Sequence, residues 1–185
     1  VLSQAISSTN AASIEVAKAT KLDKKSMHEL CEATLETIKH NNGFNIGFSR
    51  RYSYDTDSIA QYFTGVLAIP ERTLFIAYYN GLIAGSIQML KQHPSYETMA
   101  FACSVDNHFV APWARGHGIA RKLLEAVEEE ARYLGFSMMK VSVRSTRSAA
   151  IKLYEAYGFI KWGSLDRYEF VDGKYIGGIF YYKDI

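Results

Sequence analysis

Cysteine is scarce in this 185-residue chain: there are two, Cys31 and Cys103, far apart in sequence. No Cys/His group has the spacing of a metal site, so no metal is expected. Cys31 falls on an expected helix and Cys103 in an expected strand, where each reads as a small buried hydrophobe; a reducing cytoplasm is the expected compartment. An excess of one charge is also missing. The formal net charge is +2, which leaves no basic stripe for a nucleic acid and no attraction to an anionic membrane. No run approaches the roughly 20 apolar residues of a membrane span. The opening VLSQAISSTNAAS lacks a positive start and an apolar block, so it is not read as a signal peptide, and Val1 in place of methionine reads as a processed or trimmed start. Internal repeats and low-complexity runs are absent as well.

Apolar residues make up 48% of the chain and charged ones 22%, the balance of a globular protein long enough for one domain with a sizeable core. Residues 1–12, rich in serine, alanine and asparagine, read as a mobile tail, and residues 13–185 as that single domain. Thirteen tyrosines and ten phenylalanines read as strand and core material rather than a stacking surface.

Hydrophobic periodicity orders the elements. Ile14 and Val16 alternate in a first strand over 13–18. Asp23 caps a helix over 24–40 whose Met27, Leu30, Cys31, Leu35 and Ile38 share a face, and Asn41-Asn42-Gly43 ends it. Residues 43–54, with glycines, aromatics and the pair Arg50-Arg51, read either as the lining of an acceptor pocket or as a solvent loop with its rings tucked onto the core. Asp55 or Asp57 caps a second helix over 58–66, and Pro70 bars its extension. Strands over 73–79 and 82–90 flank Asn80-Gly81, a hairpin turn, and Gly85 marks a bulge or a close approach. A loop over 91–97 leads to a long strand over 98–110. A helix from Ile119 to about 134, a strand through Met139, Val141 and Val143, and a helix over 147–157 follow, the helices stopped by Gly135 and Gly158. Strands over 160–170 and 175–182 flank a second hairpin turn at Asp172-Gly173. Hairpins make most of the sheet antiparallel, and the helix between the fourth and fifth strands forces one parallel pair.

Between Val110 and the third helix lies Arg115-Gly116-His117-Gly118-Ile119-Ala120. Pro112 has no N–H to offer a ladder, so the strand ends before it. A glycine turn then opens directly into a helix, whose first N–H groups and dipole suit a phosphate; Gly116 and Gly118 let a ligand approach without a Cβ in the way.

Arg115-x-x-Gly118-x-Ala120 resembles the acetyl-CoA signature of the GNAT superfamily of N-acetyltransferases, Gln/Arg-x-x-Gly-x-Gly/Ala. Further on, Ala150, Leu153, Tyr154, Gly158 and Phe159 fit that family's second pattern, a strand followed by Asn-x-x-Ala-x-x-Leu-Tyr and then Gly-Phe. The element order from Ile14 onward is similar too. The resemblance implies an α/β (α+β) fold, with a mixed, mostly antiparallel seven-stranded sheet flanked by about four helices and splayed between strands four and five. It implies transfer of an acetyl group from acetyl-CoA, a cosubstrate, to a primary amine by direct attack in a ternary complex. A small-molecule amine is expected ahead of a protein N-terminus.

By the same resemblance, backbone groups of Arg115, Gly116, His117, Gly118, Ile119, Ala120 and Arg121 would hold the pyrophosphate. Arg115 and Arg121 add charge, unless Arg121 only pairs with Glu125 on the helix surface. Backbone groups of His108, Phe109 and Val110 would bond the pantetheine arm and polarise the thioester carbonyl. Tyr154 would protonate the departing sulfur. The base for the acceptor stays open between Asp106 and His108, read as sharing strand parity with Val110, with His93 and Glu97 held in reserve. Ser104 stands where several protein-acetylating members carry glutamate. The family's asparagine is Arg147 here, which cannot accept a hydrogen bond; it reaches a phosphate or an acidic acceptor, or points to solvent. That departure also admits a cofactor-binding module without turnover. Nucleic acid and membrane are not expected as partners, and pairing of two copies through edge strands, the tyrosine-rich last strand among them, is.

Overall fold

A computed structural model describes residues 12–40 and 55–185. In chain order these form β1 (Ile14–Ala19), α1 (Lys24–His40), α2 (Thr56–Ala68), β2 (Arg72–Tyr79), β3 (Leu82–Lys91), β4 (Ala102–Val110), α3 (Ile119–Tyr133), β5 (Met138–Arg144), α4 (Ser148–Ala156), β6 (Ile160–Val171) and β7 (Lys174–Asp184). The expected cap at Asn41-Asn42-Gly43, the segment 43–54 and all but the last residue of the tail lie outside the described residues.

Local chemistry accounts for the joints. Asn80 and Gly81 both take positive φ, +50° and +81°, as do Asp172 and Gly173 at +51° and +78°, so each pair turns its hairpin with the twist that strands prefer. Asp55 caps α2 through a reciprocal pair: its carboxylate accepts from Ser58 N–H at 2.8 Å while Ser58 Oγ accepts from Asp55 N–H at 3.3 Å. One boundary departs from expectation. Residues Glu97–Met99 wind into a 3-10 turn, so β4 begins at Ala102 rather than at 98.

The sheet runs β1-β2-β3-β4-β5-β7-β6. All neighbours are antiparallel except β4 and β5, which the α3 crossover makes parallel. The order corrects one expectation: β7, the tyrosine-rich last strand, sits between β5 and β6, so its ladder edges are used, and among the described residues the sheet ends at β1 and β6. Two cores sandwich the sheet. On one face Leu30, Ile59 and Phe63 of α1 and α2 meet Leu74 and Ile76 of β2. On the other, Ile119, Leu123, Leu124 and Val127 of α3 meet Ile87, Met89, Met139 and Tyr181. Each of those aliphatic side chains stabilises the fold by roughly 1.5–3 kcal/mol on burial. Cys31 and Cys103 are buried in these layers, and burial raises each thiol to about 11, so neither is a thiolate near pH 7.

The parallel ladder is short. Ala102–Val105 pair with Met138–Val141, yet β4 runs on to Val110 and β5 to Arg144. The two strands therefore part beyond Val105, and the sheet is splayed where the resemblance placed the opening.

Candidate functional site

Strand β4 changes face inside the splay. Gln88 of β3 pairs with Asp106 and Ser86 with Phe109, so Asn107 and His108 together oppose the single residue Ile87. Asn107 takes φ +46°, a left-handed conformation that asparagine tolerates. Such a bulge advances the side-chain alternation by one. Val105 faces the α3 layer, while Phe109 has turned into the α1–α2 layer and His108 reaches α3. The parity read for Asp106 and His108 is thereby corrected: they lie on opposite faces, and His108 alone shares a face with Val110.

The backbone follows the same logic. Ala111 N–H donates to Ala84 of β3 at 2.7 Å, so alternation turns the N–H and carbonyl of Val110 away from β3 and into the gap. The Val110 carbonyl accepts from Arg115 Nε at 3.1 Å. Phe109 directs its carbonyl at Gly85, where a Cβ would collide with it, so that glycine is required by close approach.

Beyond β4, Pro112–Ala114 form a 3-10 turn and the chain reaches Gly116 and Gly118 at φ +82° and +79°. Gly118 is the N-cap of α3 and no side chain caps it; a Cβ at either glycine would meet nothing within 4 Å. Residues 115–118 are exposed, and the first-turn N–H groups of α3 follow them under the positive end of the helix with no side-chain cap. That cradle of main-chain donors fits a diphosphate.

His108 ties β4 to this helix start. The Ala120 carbonyl, 3.0 Å from His108 Nε2, can only accept, so Nε2 carries the proton and Nδ1 accepts the Tyr154 O–H at 3.1 Å. Burial pushes His108 down to about 4, against the upward pull of the Ala120 bond. Burial, and then the charge of Asp106, pushes the Tyr154 phenol well above its ordinary value. Both rings are neutral at pH 7.

The opposite face carries a polar network. Arg72 donates to Gln88 Oε1 at 2.6 Å and to Asp106 Oδ2 at 3.0 Å, while Gln88 Nε2 donates to the Tyr62 hydroxyl at 3.0 Å and Asn107 Nδ2 also meets that hydroxyl. Across the gap, Ser142 and Tyr168 hydroxyls lie 2.7 Å apart and Arg144 Nε donates to Glu169. Tyr168 lies over Gly178, whose missing Cβ makes room for the ring. Between β4 and β5 opens a cleft of about 400 Å³, lined among others by Asp106, His108, Val110, Arg144, Arg147 and Tyr154.

Other sequence candidates fall elsewhere. Arg121 pairs with Glu125 at 3.1 Å and covers Tyr157, the helix-surface alternative. His117 stacks on Tyr79 at 4.6 Å. His93 bonds Ser95 in the loop before β4, and neither it nor Glu97 lines the cleft. Arg147 does not simply point to solvent: it is half-buried at the N-terminus of α4 and lines the cleft, where burial, then Arg144 and Arg115, lower its pKa. Sequence reasoning passed over Arg144, Arg72, Tyr62 and Tyr168. A signal existed for Arg144: Met139, Val141 and Val143 alternate, which places residue 144 on the other face. Among the described residues no group of three His, Cys, Asp or Glu could hold a metal ion, and no helix is long and apolar enough to cross a membrane.

Comparison with known proteins supplies the context. The acetyltransferase (GNAT) family pattern matches residues 27–159. A protein of Azospirillum brasilense described as an "uncharacterized N-acetyltransferase in hisH-hisA intergenic region" is 39% identical over 135 residues, 72% of this chain and 77% of its own. An IAA acetyltransferase of the same organism is 31% identical over 102 residues, 55% of this chain and 63% of that protein. The structure of yncA from Salmonella typhimurium with its cofactor acetyl-CoA superposes with a TM-score of 0.71 at 20% identity, covering 95% of this chain and 94% of that one.

Proposed function

The chain belongs to the GNAT family and is an N-acetyltransferase, and from that premise we propose that it moves the acetyl group of acetyl-CoA to the primary amine of a small molecule by direct attack in a ternary complex. The observation that carries the reading is the ladder that stops at Val105 and Val141, leaving the Val110 N–H in a gap beside the uncapped start of α3. Such a gap suits an extended arm lying as a strand would, with a diphosphate at the helix end.

Acetyl-CoA, when bound, supplies the thioester whose acetyl group is passed on. The N–H groups of the turn and first helical turn, from Gly116 to Arg121, hold the diphosphate. The Val110 N–H is fixed by its strand and aimed into the gap, so it stabilises charge on the thioester carbonyl without reorganising. Because the α3 face is taken up by the cofactor, the amine approaches from the α1–α2 face. There Asp106, held by Arg72, takes the ammonium proton, directly or through water. Tyr154, kept protonated by burial, swings its hydroxyl from His108 Nδ1 to the leaving sulfur. A C–N bond forms as a C–S bond breaks, and the proton lost at nitrogen is matched by one gained at sulfur. His108 positions Tyr154 rather than acting as the base, because both its nitrogens are engaged and a pKa of about 4 leaves it a weak one.

A calorimetric titration of coenzyme A, with free thiol followed as acetyl-CoA is mixed with a panel of amines, tests this. Saturable binding with amine-dependent thiol release is expected. Absence of heat on adding coenzyme A overturns the reading.

A further inference from the structure

The β5 side of the cleft gathers positive charge. Arg144 and Arg147 line it, with Arg115 bonded to the Val110 carbonyl on the β4 side, against the carboxylate of Asp106, which is bound to Arg72. Arg144 is only 8% exposed and donates to Glu169, so it is held in place at the cleft wall. Glu169, which pairs with Arg144 and also acts on Arg147, offsets part of the cost of gathering these charges, and a second anion in the cleft would offset more of it. The lowered pKa of Arg147, to which Arg144 and Arg115 contribute after burial, is consistent with that crowding.

Two sources could supply the anion: the phosphates of the cofactor or an acidic group on the acceptor. Strand parity separates them. Val141 and Val143 of β5 pack in the α3 layer, so Arg144 projects from the opposite face, where Ser142 also meets Tyr168. The diphosphate cradle and Arg115 belong to the α3 side. Moreover α1 and α2 pack on β2, β3 and β4, which leaves the β5 half of their face without a helix among the described residues. An acceptor entering there meets Asp106 on one side of the gap and Arg144 on the other, with Arg147 at the start of α4 lining the same cleft.

We propose that the acceptor is an amino acid, its amine facing Asp106 and its carboxylate held by the guanidinium groups of Arg144 and Arg147. The inference rests on the acetyl-transfer reading and names the class of its acceptor. A planar guanidinium takes a carboxylate through two parallel N–H donors, which an ammonium cannot reproduce. The departure from the family asparagine at Arg147 then acquires a role: it trades a neutral contact for recognition of an anion.

The test compares the common α-amino acids with their carboxamides as acceptors of acetyl-CoA, in the wild type and in Arg147→Gln and Arg144→Lys. The wild type is expected to favour a free carboxylate by roughly ten- to hundredfold in kcat/KM. Both substitutions should collapse that ratio toward one, Arg144→Lys keeping the charge so that the pair with Glu169 survives. No preference in the wild type overturns the proposal, as does a loss seated in the KM for acetyl-CoA with the ratio intact. Calorimetry of amino acid and carboxamide against protein saturated with coenzyme A measures the same preference without turnover: binding of the first and not the second supports the proposal, and equal or absent binding of the amino acid overturns it. Absence of coenzyme A binding in the first titration would instead overturn the acetyl-transfer reading, so the two failures are distinct.

Discussion

Tyr154 and His108 act as one unit. The hydroxyl donates to Nδ1 at 3.1 Å because the Ala120 carbonyl fixes the proton on Nε2. Tyr154→Phe removes the proton source and leaves the ring packing on Phe159 and Tyr181 in place. Turnover should fall about 10- to 100-fold while the KM for acetyl-CoA moves little, as initial-rate kinetics would show; unchanged turnover removes Tyr154 from the acid role. His108 carries a stability consequence. Its folded pKa, about 4, lies below the ordinary 6.5, so between those values the unfolded chain binds a proton that the folded one refuses. Stability is therefore present above pH 6.5 and lost as the pH falls toward 4, by up to about 3 kcal/mol. Urea midpoints at pH 7 and pH 5 should fall less far apart in His108→Gln than in the wild type. At this scale the sequence revealed which residues would gather but not which way they face. Asp106 and His108 are two apart and read as neighbours on one face; one left-handed residue, Asn107, puts them on opposite faces, and nothing in a single asparagine announces a bulge.

At the scale of elements, α3 is built to start abruptly. Its cap is a glycine with no side-chain bond, where serine or aspartate would serve the helix better. Gly118→Asp makes that contrast testable. The new side chain meets nothing within 4 Å of its Cβ, so the protein should fold, at a cost of about 1–2 kcal/mol for an L-residue at φ +79°. Its carboxylate would enter the diphosphate cradle, and calorimetry should then show coenzyme A binding lost; retained affinity would remove the turn from the cofactor site. Helix α2 shows the ordinary solution. Asp55→Ala removes the carboxylate that accepts the Ser58 N–H, leaving only the backbone-donated half of the capping box, and should lower stability by about 1 kcal/mol in urea denaturation. Helices and hairpins were legible because capping residues, Asn-Gly and Asp-Gly turns and terminal glycines each have a local cause. The start of β4 was not: Thr98 and Met99 suit a strand by composition, but Tyr96 and Glu97 accept the N–H groups of Met99 and Ala100 and wind the segment into a turn.

The whole sheet is two parts joined by a brief seam. Strands β1 to β4 with α1 and α2 form one part, β5, β7 and β6 the other, and four residue pairs of parallel ladder connect them, backed by α3 and α4. Sequence could not give this arrangement. The Asp172-Gly173 turn makes β6 and β7 neighbours, but either strand of a hairpin can dock on β5, and only the packed structure shows that the strand carrying Tyr181, fully buried, goes inside. Because the seam ends at Val105, the ladder of residues 106–110 and of the end of β5 is paired from one side only among the described residues. A ligand lying in the gap would supply the missing partner and couple the two parts. Any ligand that binds the folded chain alone stabilises it by about 2.7 kcal/mol at 100 times its dissociation constant, and for a domain of this size that raises the melting temperature by roughly 5–10 °C. Coenzyme A at that excess should produce such a shift in a thermal melt, with amide exchange slowed chiefly at His108, Val110 and the first turn of α3. A shift accompanied by protection spread evenly over the sheet, or confined to β6 and β7, would place the ligand somewhere other than the splay.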